Sequence, residues 1–161
     1  MASTPIGLVN HVTNVAPDVE TTKHFYIDFL GGKWYSQNAR LHQVAIAGVL
    51  IDCFPPEEDA ENVPAPGSAR QQYRFAIEPE HVGDWVAHAE SWQVRTTMLS
   101  EPELLRLMLK FDTPNGYHIA LQAGYPSVEA LDEAVEEYGE RVDRLGAITE
   151  LFTINSGPSG G

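Results

Sequence analysis

The chain has 161 residues, 43% of them hydrophobic, with a single cysteine and a formal net charge of −13. That acidic balance argues against nucleic acid, whose phosphates are bound by clustered Lys and Arg, and no run of about 18 apolar residues is present to span a membrane. The apolar fraction suffices for one packed domain with an appendage, and the lone Cys53 leaves no internal disulfide and fits a reducing cytoplasm.

The opening MASTPIGLVNH has neither the basic region nor the apolar stretch of a secretory signal, so a cytoplasmic protein is expected. Residues 7–15, GLVNHVTNV, read as a strand. A helix follows, with Asp18 as N-cap after Pro17 and Gly31-Gly32 as its stop. Val19, Phe25, Tyr26, Phe29 and Leu30 form its apolar side. Three short strands fit near 33–37, 41–47 and 49–54, with turn signals at Gln37-Asn38 and Ala47-Gly48. The segment PPEEDAENVPAPGSA, 55–69, has no periodicity and is rich in Pro, Gly and acid, which predicts a linker or loop.

The same order then returns. Residues 71–79 read as a strand and 80–92 as a helix with Val82, Trp85, Val86 and Ala89 on one side. Strands fit near 94–98, 104–112 and 116–123, the last entered through the turn DTPNG. The pattern βαβββ thus occurs twice at a spacing of roughly 60 residues, without residue identity between the copies. The tail SVEALDEAVEEYGERVDRLG carries a narrow stripe of Val128, Leu131, Val135, Tyr138, Val142 and Leu145 at helical spacing. Residues 127–150 hold eight acidic side chains against Arg141 and Arg144, so much of the negative charge is the solvated face of this helix. Docking on its own domain is its simplest role; partner binding is the other.

Two βαβββ copies, with His11-Val12 ahead of Pro17-Asp18, FYIDFLGG in the first helix and DTPNGYHIALQ at the end, resemble the vicinal oxygen chelate superfamily of glyoxalase I, extradiol dioxygenases, fosfomycin-resistance enzymes and bleomycin-resistance proteins. The resemblance covers about residues 6–123. It implies an α+β fold in which two βαβββ modules, about 6–54 and 70–123, form a cup-shaped mixed sheet. Residues 1–126 would be the domain, and 127–161 an acidic C-terminal helix with its tail. It also implies metal ligands on the first and last strands of each module, because alternate residues of converging strands face one point. Carried over by position, those ligands are His11, Asp52 where glutamate is common, Gln72 where histidine is common, and Ala120 where a glutamate usually stands. Ala120 has no donor atom.

Strand parity extends the set. Residues on the same side as Ala120 are His118 and Gln122; with Gln72 goes Arg74, and with Asp52 go Leu50 and Phe54. Three readings stay open. His11, Asp52 and Gln72 or His118 hold one divalent metal (Fe, Zn, Mn or Ni). Alternatively no metal binds: Arg74 fixes a carboxylate or enolate and His11 or His118 acts as general base, with Gln72, Phe54 and Gln122 lining the substrate. In the third, the polar groups pair with one another, for example Asp52 with Arg74, and line a pocket without chemistry.

The resemblance implies a lyase or isomerase of the glyoxalase or dioxygenase type acting on a compact oxygenated or carboxylated substrate. Its alternative is a metal-free, drug-sequestering binder of the bleomycin-resistance type. A homodimer is implied in either case. Cys53 reads as a buried strand residue. His24, His42, His81 and His88 read as exterior residues, and Trp85 and Trp92 as core packing.

Overall fold

Asp18 starts the first helix as its type dictates. Its backbone is extended, and its carboxylate accepts from the Thr21 N–H at 3.1 Å and from the Thr21 hydroxyl at 2.9 Å. That first bond holds the carboxyl below its ordinary range. The computed structural model describes residues 11–15, 18–36, 42–54, 72–114, 118–149 and 152, and the side chains of 11–15, 36 and 54 lie outside the described set. Outside it too fall the expected linker 55–69, the start of the first strand at 7–10 and the turn residues Asn115, Gly116 and Tyr117.

The helix expected to run unbroken to Leu30 is instead α-helical over Val19–His24 (α1) and widens into one π-helical turn over Phe25–Phe29. Leu30 N–H donates to the Phe25 carbonyl five residues back at 3.0 Å. The wider turn lets Phe25, Tyr26 and Phe29 all face inward, and all three are buried. Gly31 then takes φ +77°, the left-handed position that ends helices.

Strands β1 (His11–Val15), β2 (Lys33–Ser36), β3 (His42–Ile46) and β4 (Val49–Phe54) form one sheet in the order β1-β4-β3-β2. Strands β5 (Gln72–Ala76), β6 (Thr96–Glu101), β7 (Arg106–Asp112) and β8 (His118–Gly124) form a second in the order β5-β8-β7-β6. Each has one parallel pair, β1 with β4 and β5 with β8, and is antiparallel elsewhere. The α+β class and the duplicated βαβββ order are those expected, with helix α2 (Val82–Trp92) in the second copy. β6 and β7 begin two residues later than their periodicity suggests: Pro102–Leu104 form a 3-10 turn, and Leu105 adopts φ +50° before β7 starts.

Alternation sets which face of each sheet is buried. In the second sheet Leu107, Leu109, Phe111, Ile119, Leu121 and Ala123 are buried toward the helices; in the first, Val44, Ile51 and Cys53 are. The two modules meet through these helix-bearing faces. Phe29 packs edge-on against Phe111 at 5.2 Å and stacks on His88 at 4.9 Å, with Trp85 and Trp92 around it. The Phe29 carbonyl at the helix end has no intrahelical partner and accepts from His88 Nε2 at 2.7 Å. His88 is thus part of the seam and not an exterior residue. His24 is also largely covered, against the Trp92 and Phe152 rings.

The acidic tail is helix α3 (Val128–Gly146), N-capped by Ser127. It docks on its own chain: Leu131, Ala134, Val142 and Leu145 are buried, and Arg141 Nε donates to Glu90 of α2 at 2.8 Å. No helix among the described residues is long and apolar enough to cross a membrane.

Gly32 lets β2 leave the π turn against β3. A Cβ there would lie 2.8 Å from Val44 Cγ1 and 2.9 Å from the Tyr26 carbonyl oxygen. Gly32→Ala is therefore expected to lower the urea midpoint by an amount equivalent to about 1–3 kcal/mol, with an unchanged slope. An unaltered midpoint would show that this approach is not tight.

Candidate functional site

The register of the second sheet assembles its outer face, the one turned away from the helices. Gln72 of β5 pairs with His118 of β8, which pairs with Asp112 of β7. The next rung on that face is Arg74, Ala120 and Lys110, and the one after is Ala76, Gln122 and Met108. Paired residues project to the same side of a sheet, so Gln72, Arg74, His118 and Gln122 share one face, as parity predicts.

His118 is fixed by a partner that sequence parity did not single out. Its Nδ1 lies 3.0 Å from Asp112 Oδ1, and the other carboxylate oxygen, Oδ2, accepts from Arg95 Nε at 2.6 Å. A carboxylate held by a guanidinium is an acceptor, so the ring nitrogen facing it carries the proton. In the neutral ring, Nε2 is then left with a lone pair. The three side chains are 14, 20 and 29% exposed in the order His118, Asp112, Arg95, which shields the pairing from water without sealing it. An imidazole so oriented can take a proton, and its carboxylate partner stabilises the cation that forms.

Gln72, beside His118, has a buried Nε2 with no hydrogen-bond partner among the described residues. An unsatisfied buried donor costs about 1–3 kcal/mol, so this amide is a group that a ligand acceptor would relieve.

The remaining candidates sit on the first sheet. Asp52 is 8% exposed on β4 and accepts from Gln43 Nε2 at 2.8 Å, across the β3–β4 register. His11 takes the register position opposite Leu50, two places from the Thr13–Asp52 pair, and its side chain lies outside the described set, as does that of Phe54. Asp52 belongs to the outer face of the first sheet, and Gln72, Arg74 and His118 belong to that of the second, each away from its helix-bearing side. Asp52 and Arg74 accordingly lie on different sheets and do not pair. Cys53, next to Asp52, has its thiol pushed up to about 12 by burial and secondarily by the Asp52 charge, which disfavours the nucleophilic thiolate.

Among the described residues no three His, Cys, Asp or Glu side chains gather around one point. With Ala120 lacking a donor and Asp52 on the other sheet, the described groups of a single chain do not fit a divalent cation.

Asp112, Arg95, Lys110 and Gln43 are absent from the sequence-based set. Asp112 had a signal: it ends β7 six residues before His118 begins β8, and the two face each other across that antiparallel pair. Arg95 had none, since it arrives from the loop ahead of β6.

No protein-family model matches the chain, and no curated protein matches it by sequence. Solved structures do. A fosfomycin resistance protein, FosX, from Listeria monocytogenes matches at TM-score 0.61 and 16% identity, over 76% of this chain and 97% of that one; another structure of it, complexed with Mn(II) and sulfate, matches over 83% and 99% at the same score and identity. Lactoylglutathione lyase from Agrobacterium tumefaciens matches at TM-score 0.61 and 18% identity, over 74% and 96%. An integron cassette protein from V. cholerae matches at 0.57 and 20%, over 76% and 98%. The duplicated βαβββ sheets and these neighbours together give the chain the vicinal oxygen chelate fold.

Proposed function

We propose that this chain is a small-molecule enzyme that moves a proton on a compact oxygenated or carboxylated substrate, with His118 as the base. The observation that carries this reading is the Arg95–Asp112–His118 chain of hydrogen bonds. His118 Nε2 takes the proton from an atom adjacent to a carbonyl. Asp112 holds the ring and offsets the imidazolium charge. Arg74 and the Gln72 amide, on the same face, hold the oxygen that becomes negative. General-base catalysis of this kind is worth about 10²–10⁴ in rate. Lyase or isomerase chemistry follows from where the proton is returned. The fosfomycin-resistance and lactoylglutathione lyase neighbours support a small-molecule role at the level of fold.

A second copy of the chain completes the site in this reading. Its first sheet would bring His11, Asp52 and Phe54 opposite His118, Gln72 and Gln122. Two facts support it: the polar groups of the two sheets lie on the faces away from the helices, and one edge strand of each sheet exposes a large apolar side chain there, Tyr35 on β2 and Leu99 on β6, at 41% and 40%. Sedimentation at micromolar concentration is expected to give a dimer, and Leu99→Glu with Tyr35→Glu a folded monomer. A wild-type monomer would remove the second wall.

The base assignment is tested without a substrate. Long-range ¹H–¹⁵N correlation spectra, taken above the imidazole titration, should show His118 as the Nδ1–H tautomer, and Asp112→Ala should turn it to Nε2–H. An Nε2–H tautomer in the wild type would overturn the base and leave the face as that of a sequestering protein.

A further inference from the structure

The seam between the modules contains a hollow of about 200 Å³ beside the edge strand β5, partly open to solvent. Leu30 and Ile46 of the first module line it, against Phe75, Ile77, Trp85 and Leu121 of the second. Every described lining residue is apolar, and the Trp85 indole N–H is the one polar side-chain group among them. Close-packed interiors have few voids larger than a water molecule. A water held in such a void needs two to four polar partners, which these side chains do not supply. A cavity of about 150 Å³ walled by Leu, Ile and Phe takes up benzene. About 200 Å³ therefore admits a single ring with one or two more carbons.

The mouth of the hollow carries a second mark. Ile46 pairs with Val49, so the β3–β4 hairpin turns through two residues, Ala47 and Gly48, at φ +48° and +78°. A two-residue turn with both residues left-handed favours Asn-Gly or Asp-Gly, because Asn and Asp adopt that backbone more readily than alanine. Ala47 and Ala76 are the exposed residues of the lining, so they form its rim. An Asn at position 47 would ease the turn and bring a polar amide to the rim. Ala47 strains the turn and presents a methyl.

We infer that this hollow is a second binding site, and that its ligand is a neutral single-ring aromatic molecule of alkylbenzene size. The half-buried rings of Phe75 and Trp85 offer edge and face contacts to such a ring. A carboxylate or ammonium group would lose its hydration there and find no charged partner among the described walls. The site is separate from the histidine face. Ile119 and Leu121 of the lining flank Ala120 on β8 and turn toward the helices, whereas His118 and Gln122 lie on the opposite side of the sheet. The bound molecule would touch both modules, so it stabilises the folded chain as it binds.

Toluene is the probe, titrated into full-length protein and followed by NMR at the Ile46, Ile77, Ile119 and Leu121 methyl signals and the Trp85 indole signal. Saturable binding with a Kd below about 1 mM is expected, with benzoate and benzylamine at least about tenfold weaker. Toluene should also raise the urea midpoint. Ile77→Phe, which fills the hollow, should weaken toluene about tenfold. Ala47→Asn should raise the urea midpoint without ligand and weaken toluene about threefold. Amide spectra will show whether each variant folds. No saturable shift up to the solubility of toluene, or benzylamine binding as tightly, overturns the site. Shifts centred on Leu99 and Tyr35 in place of the seam also overturn it, since they mark adsorption to exposed apolar residues. So does unchanged toluene affinity in both variants, or in Ala47→Asn alone if Ile77→Phe does not fold.

Discussion

The packing of Phe29 against the second module is the interaction on which the rest depends. The π turn brings Phe25, Tyr26 and Phe29 inward together, and Phe29 then meets Phe111, Trp85, Trp92 and His88. Burying an aromatic ring of this size is worth about 1.5–3 kcal/mol, and the His88 bond to the Phe29 carbonyl satisfies a helix end that would otherwise be orphaned. Because the seam uses the helix-bearing faces of both sheets, the polar faces are those away from the helices. The two faces differ in chemistry: a carboxylate and its glutamine on the first sheet, and cations, an amide and a hydrogen-bonded histidine on the second.

On the second sheet, strand register does what a metal does in other settings, bringing distant residues to one place. Three strands contribute one residue each to each rung, so Gln72, His118 and Asp112 are neighbours although Asp112 is 40 residues beyond Gln72. The Asp112 carboxylate faces two donors, Arg95 and His118, and so selects the imidazole tautomer. Ala120 lies in the middle of the next rung, between Arg74 and Lys110.

Much of this arrangement was legible in the residues themselves. The duplicated βαβββ order, the Asp18 cap, the Gly31-Gly32 stop and the shared face of Gln72, Arg74, His118 and Gln122 follow from period, capping chemistry and parity, all local properties. The site partners were less accessible. Asp112 could have been read from the hairpin register, since residues flanking a short turn face each other. Arg95 could not, because it reaches Asp112 from a loop whose path depends on α2. His88 was misplaced for a similar reason: on α2 alone it reads as exterior, and only the arrival of Phe29 from the first module covers it. The π turn left no signal that helical periodicity would detect, because its aromatic residues also fit an α-helix.

If the Arg95–Asp112 pair holds His118 as a base and not as a metal ligand, the histidine face works without a bound divalent cation. Elemental mass spectrometry of untagged protein, purified without chelator, tests it most directly. A divalent metal content far below one per chain is expected. About one equivalent per chain, lost on His118→Ala, would contradict it and make His118 a ligand in place of a base.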